Sequence, residues 1–169
     1  FSNFAVGLKE VSVTAPVMTF FILVRSILSD CQNTAVDAFI RERTEELTQQ
    51  GIAFCADIHL PAYCFVSDVD LITALGNLLD NAADACKQAS EPRITLKVEL
   101  ADGFLHIESE NPCDPSGGKK ERRISYMERG TGSIILKSLA EKYNGSYSSR
   151  IHDGIYNNIL VLKESAEHD

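Results

Sequence analysis

Residues 71–86, LITALGNLLDNAADAC, constrain the fold of this chain more than any other stretch. Their apolar residues recur at steps of three and four, which predicts a helix with one buried stripe. Asn77 and Asn81 are four residues apart and therefore project from one side of that helix, at the margin of the stripe. Asparagine is a mediocre helix former. The two amides are therefore either solvated surface groups or a pair that shares one ligand.

Composition and charge bound the class of protein. The chain has 169 residues, a net charge of -8, 44% hydrophobic residues and 24% charged residues, which predicts one globular core with an appendage. This acidic balance argues against a nucleic-acid partner, because phosphate binding needs a concentrated positive field. The cysteines lack C-x-x-C spacing, which favours reduced thiols in a cytosolic compartment and no metal site. They are Cys31, Cys55, Cys64, Cys86 and Cys113.

The apolar runs are short. The longest, residues 16–24, falls well below the roughly 20 residues that span a bilayer, and nothing at the start resembles a signal peptide. We therefore expect the chain as given to be soluble. Because it begins at Phe1 without an initiator methionine, we also expect it to belong to a longer protein with room for membrane segments upstream.

A helical stripe runs from residue 16 to residue 50, where Gly51 supplies a helix-ending residue. A helix of about 30 residues spans some 45 Å, which exceeds a compact domain and indicates pairing with another helix, in this chain or in a second copy. The alternative is a plain core helix. We predict a helical stem, part of a dimerisation region, over residues 1–50 and a second domain over residues 51–169.

The second domain alternates strands and helices. Strands are predicted over residues 52–58 and 63–66, with Ser67 or Asp68 as the N-cap of the helix that contains residues 71–86. Two hairpins are predicted, residues 93–100 with 103–109 across Asp102-Gly103, and residues 146–152 with 155–163 across Asp153-Gly154. Between them, residues 110–130 have two prolines, three glycines and a basic cluster, which predicts a mobile loop. A helix over residues 133–143 follows and ends at Asn144-Gly145.

This order predicts an α+β fold. We expect a two-layer sandwich in which helices cover one face of a mixed, mostly antiparallel sheet, preceded by the long dimerisation-type helix.

The end of the basic loop reads Glu128-Arg129-Gly130-Thr131-Gly132-Ser133, immediately before a helix. Glycines there let backbone N–H groups approach an anion, and the helix N-terminus adds partial positive charge. After Glu110 the loop carries five Lys or Arg residues against three acids, Asp114, Glu121 and Glu128, in an otherwise acidic chain, which favours a polyphosphate. A tight loop-to-helix turn on a solvated loop is the alternative. The chain has no G-x-S-x-G elbow, no Walker-type lysine loop and no dinucleotide fingerprint.

Together, NLLDNA at residues 77–82 and RGTGS at residues 129–133 resemble the N box and the second glycine box of the GHKL, or Bergerat-fold, ATPase superfamily. That superfamily includes gyrase, the heat-shock chaperones, sensor histidine kinases and MutL. The chain is most similar to the catalytic domain of receptor kinases for peptide pheromones, the accessory gene regulator type. Residues 33–61 also resemble the second dimerisation helix of that family running into its first strand.

The resemblance implies an ATP site with magnesium. Asn81 matches the amide that carries the magnesium ion, and Asn77 matches the supporting position that hydrolysing relatives fill with a general-base glutamate. An amide cannot take a proton from water, so the resemblance implies phosphoryl transfer, with Asn77 as the catalytic residue. Gly130 and Gly132 match glycines near the phosphates. The full set implied to bind ATP is Asn77, Asn81, Asp84, Glu110, Asn111, Arg129, Gly130, Thr131, Gly132 and Ser133, with Asn81 as the metal ligand.

The first glycine box departs from the pattern. Most relatives have Asp-x-Gly-x-Gly, whose aspartate accepts from the adenine amino group, whereas this chain has Glu110-Asn111-Pro112-Cys113. The resemblance implies that Glu110 takes over from the aspartate. The missing glycines imply a weaker nucleotide site, or one that depends on the loop.

The function implied is that of a bacterial two-component histidine kinase. Its partners would be a second copy, bound through the stem, and a response regulator, at the cytoplasmic face of a membrane protein. Because residues 1–50 contain no histidine, the phosphoacceptor is upstream or missing, and the chain alone should not autophosphorylate. The alternative is a non-catalytic dimeric signalling module of the same fold. An anti-sigma-type serine kinase or a hydrolysing ATPase is a third, less favoured reading.

Overall fold

The computed structural model describes residues 30–86, 89–113 and 130–165. These described residues form six strands and three helices. They are β1 (Asp30–Cys31), α1 (Thr34–Gln49), β2 (Ala53–Leu60), α2 (Asp68–Cys86), β3 (Arg93–Ala101), β4 (Phe104–Pro112), α3 (Thr131–Lys142), β5 (Ser146–His152) and β6 (Ile155–Lys163).

The strands form one mixed sheet in the order β1-β2-β3-β4-β6-β5. The first three run parallel, and the pairs β3–β4, β4–β6 and β6–β5 are antiparallel. Side chains alternate along each strand, so that Ile94, Leu96 and Val98 of β3 are buried while Thr95 and Lys97 are exposed. The buried set shares one core with all three helices. The predicted two-layer α+β sandwich is confirmed, with a helix face and an open face of the sheet.

Helix α2 forms the centre of the core, as its sequence predicts. Leu71, Leu75, Leu78 and Leu79 are each 0% exposed, and burying such a side chain stabilises the fold by roughly 1.5–3 kcal/mol. The N-cap is Ser67, whose Oγ accepts a hydrogen bond of 3.3 Å from the backbone N–H of Asp70.

Both predicted hairpins are confirmed. Asp102 and Gly103 have φ of 51° and 75°, and Asp153 and Gly154 have φ of 49° and 75°. Two consecutive positive φ values define the type I′ turn, whose twist matches that of the flanking strands. Helix α3 ends at Lys142 with Tyr143 as its C-cap, and the predicted stop at Asn144 follows directly, with φ of 49°.

The prediction of one continuous helix over residues 16–50 is wrong, because a strand interrupts it at Asp30–Cys31. Helix α1 begins at Thr34, and β1 precedes it beside β2. The cause is Asn33, whose Oδ1 accepts 2.9 Å from the Val36 N–H while its Nδ2 donates 2.9 Å to Asp68. As the N-cap, Asn33 makes α1 begin at Thr34, although the apolar periodicity alone would extend the helix to earlier residues. Residues 16–29 lie outside the described part.

Two further boundaries differ from the prediction. Residues 63–66 form no strand, and Tyr63 is 91% exposed, because β1 already occupies the free edge of β2. Glu110–Pro112 belong to β4 and not to the predicted loop, since they pair with β6 through Asn157, Tyr156 and Ile155. Residues 114–129 of that loop lie outside the description.

Helix α1 packs into the same core as the rest through Val36, Ile40 and Leu47. Arg43 ties it to α2 by an ion pair with Asp80. The division of the chain at residue 50 stays a prediction. No helix in the described ranges combines the length and the apolar character needed to cross a membrane.

Candidate functional site

The two α2 amides meet the first turn of α3. A Cβ atom added at Gly132 would lie 3.1 Å from Asn77 Oδ1, 3.2 Å from Asn81 Oδ1 and 3.3 Å from Asn81 Nδ2. Both asparagines are half-buried. Any side chain here would crowd the amides, which would have to move by a few tenths of an ångström. The structure therefore brings together three of the residues predicted from sequence, Asn77, Asn81 and Gly132.

The two amides differ in their hydrogen bonding. Asn77 Nδ2 donates 2.7 Å to the carbonyl oxygen of Thr73, one turn earlier, which fixes the orientation of that amide. Asn81 Nδ2 is buried, and within the described residues it has no hydrogen-bond partner. A buried donor without a partner costs about 1–3 kcal/mol. The site is thus prepared for a ligand that brings acceptor oxygens.

The N-terminus of α3 supplies positive potential beside these amides. Its N-cap, Gly130, is extended, with φ of -64° and ψ of 154°, and contributes no side-chain cap, and the first turn holds no acid. Ser133 is buried, and its Oγ donates 3.0 Å to the Gly130 carbonyl oxygen. An uncapped helix start without a carboxylate favours an anion there.

A polar clamp holds α2 and α3 in register. Lys142 Nζ donates 2.6 Å, and the Tyr143 hydroxyl donates 2.5 Å, to Asp70 Oδ2, and Ser67 Oγ donates 2.9 Å to the same atom. These hydrogen bonds, that of Lys142 first, hold the pKa of the Asp70 carboxyl below its usual value. The clamp ties the first turn of α2 to the end of α3 and so fixes the position of Gly132 relative to Asn77 and Asn81.

A buried polar cluster lies on the helix face at the end of β4. Ser109, Asn111 and Asn158 are at most 1% exposed. Ser109 Oγ, Asn111 Oδ1 and Asn158 Nδ2 have no partner among the described residues. Asn111 Nδ2 donates 3.0 Å to the Pro112 carbonyl oxygen, so Oδ1 remains as the acceptor of that amide.

Sequence reasoning missed Ser109 and Asn158. The sequence did contain a signal. Both residues are polar side chains at inward-facing positions of strands whose other inward-facing positions are mostly apolar.

Glu110 lies on the other side of the sheet. It is exposed on the open face, and its Oε1 accepts 3.0 Å from Asn157 Nδ2. The structure therefore separates Glu110 from the amide pair on α2, because neighbouring residues of a strand point to opposite faces.

The other predicted residues are more dispersed. Asp84 is exposed and lines a cavity of about 320 Å³ between α1 and α2, together with Arg43 and Asp80. Thr131 is exposed in the first turn of α3. Arg129 lies outside the described residues. In the described ranges, no three His, Cys, Asp or Glu side chains cluster as metal ligands.

Helix α2 with its amide pair, the first turn of α3 and the six-stranded sheet of the described residues define an α/β sandwich with a polar site between two helices. Residues 66–162, more than half of the chain, match the family model described as the GHKL domain. The chain belongs to the GHKL domain family.

Particular relatives are sensor kinases. The chain is 25% identical over 149 residues to the sensor histidine kinase DcuS of Escherichia coli K12, a match that covers 80% of this chain and 27% of DcuS. It thus spans about a quarter of the length of that relative. The catalytic domain of histidine kinase ThkA is similar with a TM-score of 0.57 and 18% identity, over 77% of this chain and 92% of that domain. A structure of ThkA with the response regulator TrrA matches with a TM-score of 0.53 and 18% identity, over 76% of this chain and 40% of that one.

Proposed function

We propose that this chain is the ATP-binding catalytic domain of a sensor histidine kinase, which transfers the terminal phosphoryl group of ATP to a histidine outside these residues. The observation that carries the proposal is the contact of Gly132, at the start of α3, with both Asn77 and Asn81. Membership of the GHKL family and the similarity to sensor kinases support it.

Asn81 fits a site for a triphosphate with magnesium. An amide oxygen is a ligand that magnesium accepts, and its nitrogen, which has no partner in the described ranges, would donate to a phosphate oxygen. The side-chain oxygen of Asn81 would hold the ion, and in the described residues no three His, Cys, Asp or Glu side chains cluster as further ligands. When bound, magnesium would neutralise part of the negative charge of the phosphates. The backbone N–H groups of Gly130 and Thr131 and the side chain of Arg129 would hold the phosphates.

Asn77 favours transfer over hydrolysis. Its Nδ2 is held by the Thr73 carbonyl oxygen, and its Oδ1 faces Gly132. An amide oxygen can orient a donor but cannot take up a proton at neutral pH, unlike a general-base carboxylate. Water at this site would therefore stay poorly activated, and the phosphoryl group would await a supplied acceptor.

Asn111, and not Glu110, is our proposed acceptor for the base. Asn111 is buried on the helix face, with Oδ1 lacking a partner among the described residues, while Glu110 lies on the open face. Because Nδ2 is engaged by Pro112, the amide presents an acceptor. Its Oδ1 would accept a hydrogen bond from the amino group of adenine. The corresponding oxygen of guanine is itself an acceptor and would find no donor there, so the site would favour adenine.

Calorimetry with ATP and magnesium tests the phosphate half of the site. We expect saturable binding that weakens at least about tenfold in Asn81→Ala, because a charge-assisted contact is lost. Ser138→Ala, exposed on α3, is the matched control and should bind like the unchanged chain. Equal binding by Asn81→Ala and the control would overturn the proposal, and the absence of saturable heat would favour the non-catalytic alternative.

Base recognition has its own test. Asn111→Asp keeps an acceptor and should keep ATP binding, whereas Asn111→Leu should lose about tenfold. Glu110→Gln should leave ATP binding unchanged. If only Glu110→Gln weakened ATP binding, the acceptor for the base would be Glu110, as the sequence favoured, and not Asn111.

The full-length protein incubated with radiolabelled ATP tests the transfer. We expect label that is lost in acid and kept in base, the behaviour of a phosphorylated histidine, together with little release of free phosphate. Acid-stable label would point to a serine kinase, and rapid phosphate release would point to a hydrolase.

The wider assembly is also part of the proposal. We place the protein among the receptor kinases of peptide-pheromone type, working as a homodimer through a stem in residues 1–50 at the cytoplasmic face of a membrane. A response regulator would receive the phosphoryl group. The resemblance of residues 33–61 supports the subtype, and the structure of ThkA with TrrA supports the partner.

A further inference from the structure

The open face of the sheet has a concavity of about 680 Å³ where β3 begins and β4 ends. Its lining includes Arg93, Glu110, Arg150 and Asn157. The concavity is separated by the sheet from the amide pair on α2. It therefore lies apart from the proposed phosphate site, although Asn111, the proposed acceptor for the base, also contributes to its lining.

Asn157 gives this concavity a buried acceptor. The residue is 7% exposed, and its Nδ2 donates 2.6 Å to Glu108 Oε1 and 3.0 Å to Glu110 Oε1. Its Oδ1 is buried and has no hydrogen-bond partner among the described residues. A ligand that donates a hydrogen bond would relieve the cost of that unpaired oxygen.

Charges of opposite sign flank this acceptor. Glu110 on β4 and Arg150 on β5 are the residues directly opposite Asn157 on its two neighbouring strands, each about 4.8 Å away across the sheet. Within the described part of the chain Arg150 makes no ion pair, whereas Glu110 already binds Asn157. A carboxylate thus lies on one side of the buried oxygen and an uncommitted guanidinium on the other.

An apolar pair completes the wall. Pro112 and Ile155 are opposite one another on β4 and β6, two residues along from Glu110 and Asn157, and both line the concavity. A ligand held by the polar row would place its remaining atoms against these side chains.

We propose that this concavity binds a free α-amino acid with an apolar side chain. The ammonium group, with three donors, meets Asn157 Oδ1 and the Glu110 carboxylate, and the α-carboxylate meets the Arg150 guanidinium. The side chain contacts Ile155 and Pro112. A zwitterion matches this arrangement of an acceptor, an anion and a cation on three neighbouring strands.

Leucine and two analogues test the assignment by calorimetry and saturation-transfer NMR on the purified protein. L-leucine should bind saturably. The analogue without the amine, 4-methylpentanoate, and the analogue without the carboxylate, isopentylamine, should each bind at least about tenfold more weakly. Equal binding of leucine and 4-methylpentanoate would overturn the proposal, because a simple anion site would suffice. The absence of saturable leucine binding would overturn it as well.

Variants locate the binding. Arg150→Gln and Glu110→Gln should each weaken leucine binding about tenfold. Lys97→Gln, on the same face but outside the concavity, should leave it unchanged. Leucine binding that Arg150→Gln does not alter would refute this location. ATP titrations of the same variants should match the unchanged chain, so that failure of this proposal and failure of the proposed function are separate outcomes.

Discussion

The amide oxygen of Asn81 lies 3.2 Å from the point that a Cβ atom of residue 132 would occupy, and this contact between Asn81 and Gly132 joins the middle of α2 to the start of α3. The Asp70 clamp holds the other end of α3 against the first turn of α2. Two sequence boxes separated by about fifty residues thus become one site.

Gly132→Ala should weaken binding of ATP with magnesium by about tenfold. The added methyl group would crowd Asn77 Oδ1 and both terminal atoms of Asn81, and the amides would have to move by a few tenths of an ångström. Calorimetry measures the affinity, and thermal unfolding checks the fold. Ser138→Ala serves as the control on the same helix, and unchanged affinity in Gly132→Ala would contradict the proposed phosphate site.

Asp70→Asn should lower the free energy of unfolding by about 1–2 kcal/mol at neutral pH. The native pKa of Asp70 lies below its ordinary value because Lys142 and Tyr143 donate to the carboxylate. Its contribution is therefore present above the unfolded pKa of about 3.9 and is lost as the pH falls through the native pKa. The difference between the two proteins should shrink below about pH 4.

Urea titrations across this pH range measure the effect. Glu91→Gln, with a side chain that is 85% exposed and a long contact of 3.8 Å to Arg93, is the control and should change stability little. A difference for Asp70→Asn that stays constant with pH would contradict the linkage.

Ser109→Ala should keep or raise the stability of the ligand-free protein, by up to about 1 kcal/mol. Ser109 is 0% exposed, and its Oγ has no partner among the described residues, so removing the hydroxyl removes an unpaired polar atom. Chemical denaturation of Ser109→Ala beside Ser138→Ala measures this. Marked destabilisation would reveal that the hydroxyl does have a partner.

Gly145→Ala should destabilise the fold by about 3 kcal/mol or more. A methyl group there would overlap the carbonyl oxygen of Val161 on β6, where the backbone after α3 approaches the sheet. Gly51→Ala is the matched control, because Gly51 has φ of 74° and open space around it. That control should cost about 1 kcal/mol of backbone strain alone. Similar costs for the two changes would refute the close approach.

The sequence by itself determined the elements whose signals are local. The stripe in residues 71–86 and the turns Asp102-Gly103 and Asp153-Gly154 specify their own backbone conformations, and the structure has them where they were predicted. The resemblance of two separate boxes to one family also predicted that Asn77, Asn81 and the glycine segment share one site, and the structure places Gly132 beside both amides.

Tertiary structure decided which way the strand residues face and where α1 begins. Glu110 and Asn111 are neighbours in sequence, yet pairing of β4 with β6 sends Glu110 to the open face and Asn111 to the helix face. A shift of one residue in register would exchange them, and no local pattern sets that register. Likewise, α1 begins after Asn33 because Asp68, which is distant in sequence, accepts a hydrogen bond from the Asn33 amide and holds it in the capping position. Both outcomes depend on partners that only the folded chain brings within hydrogen-bonding distance.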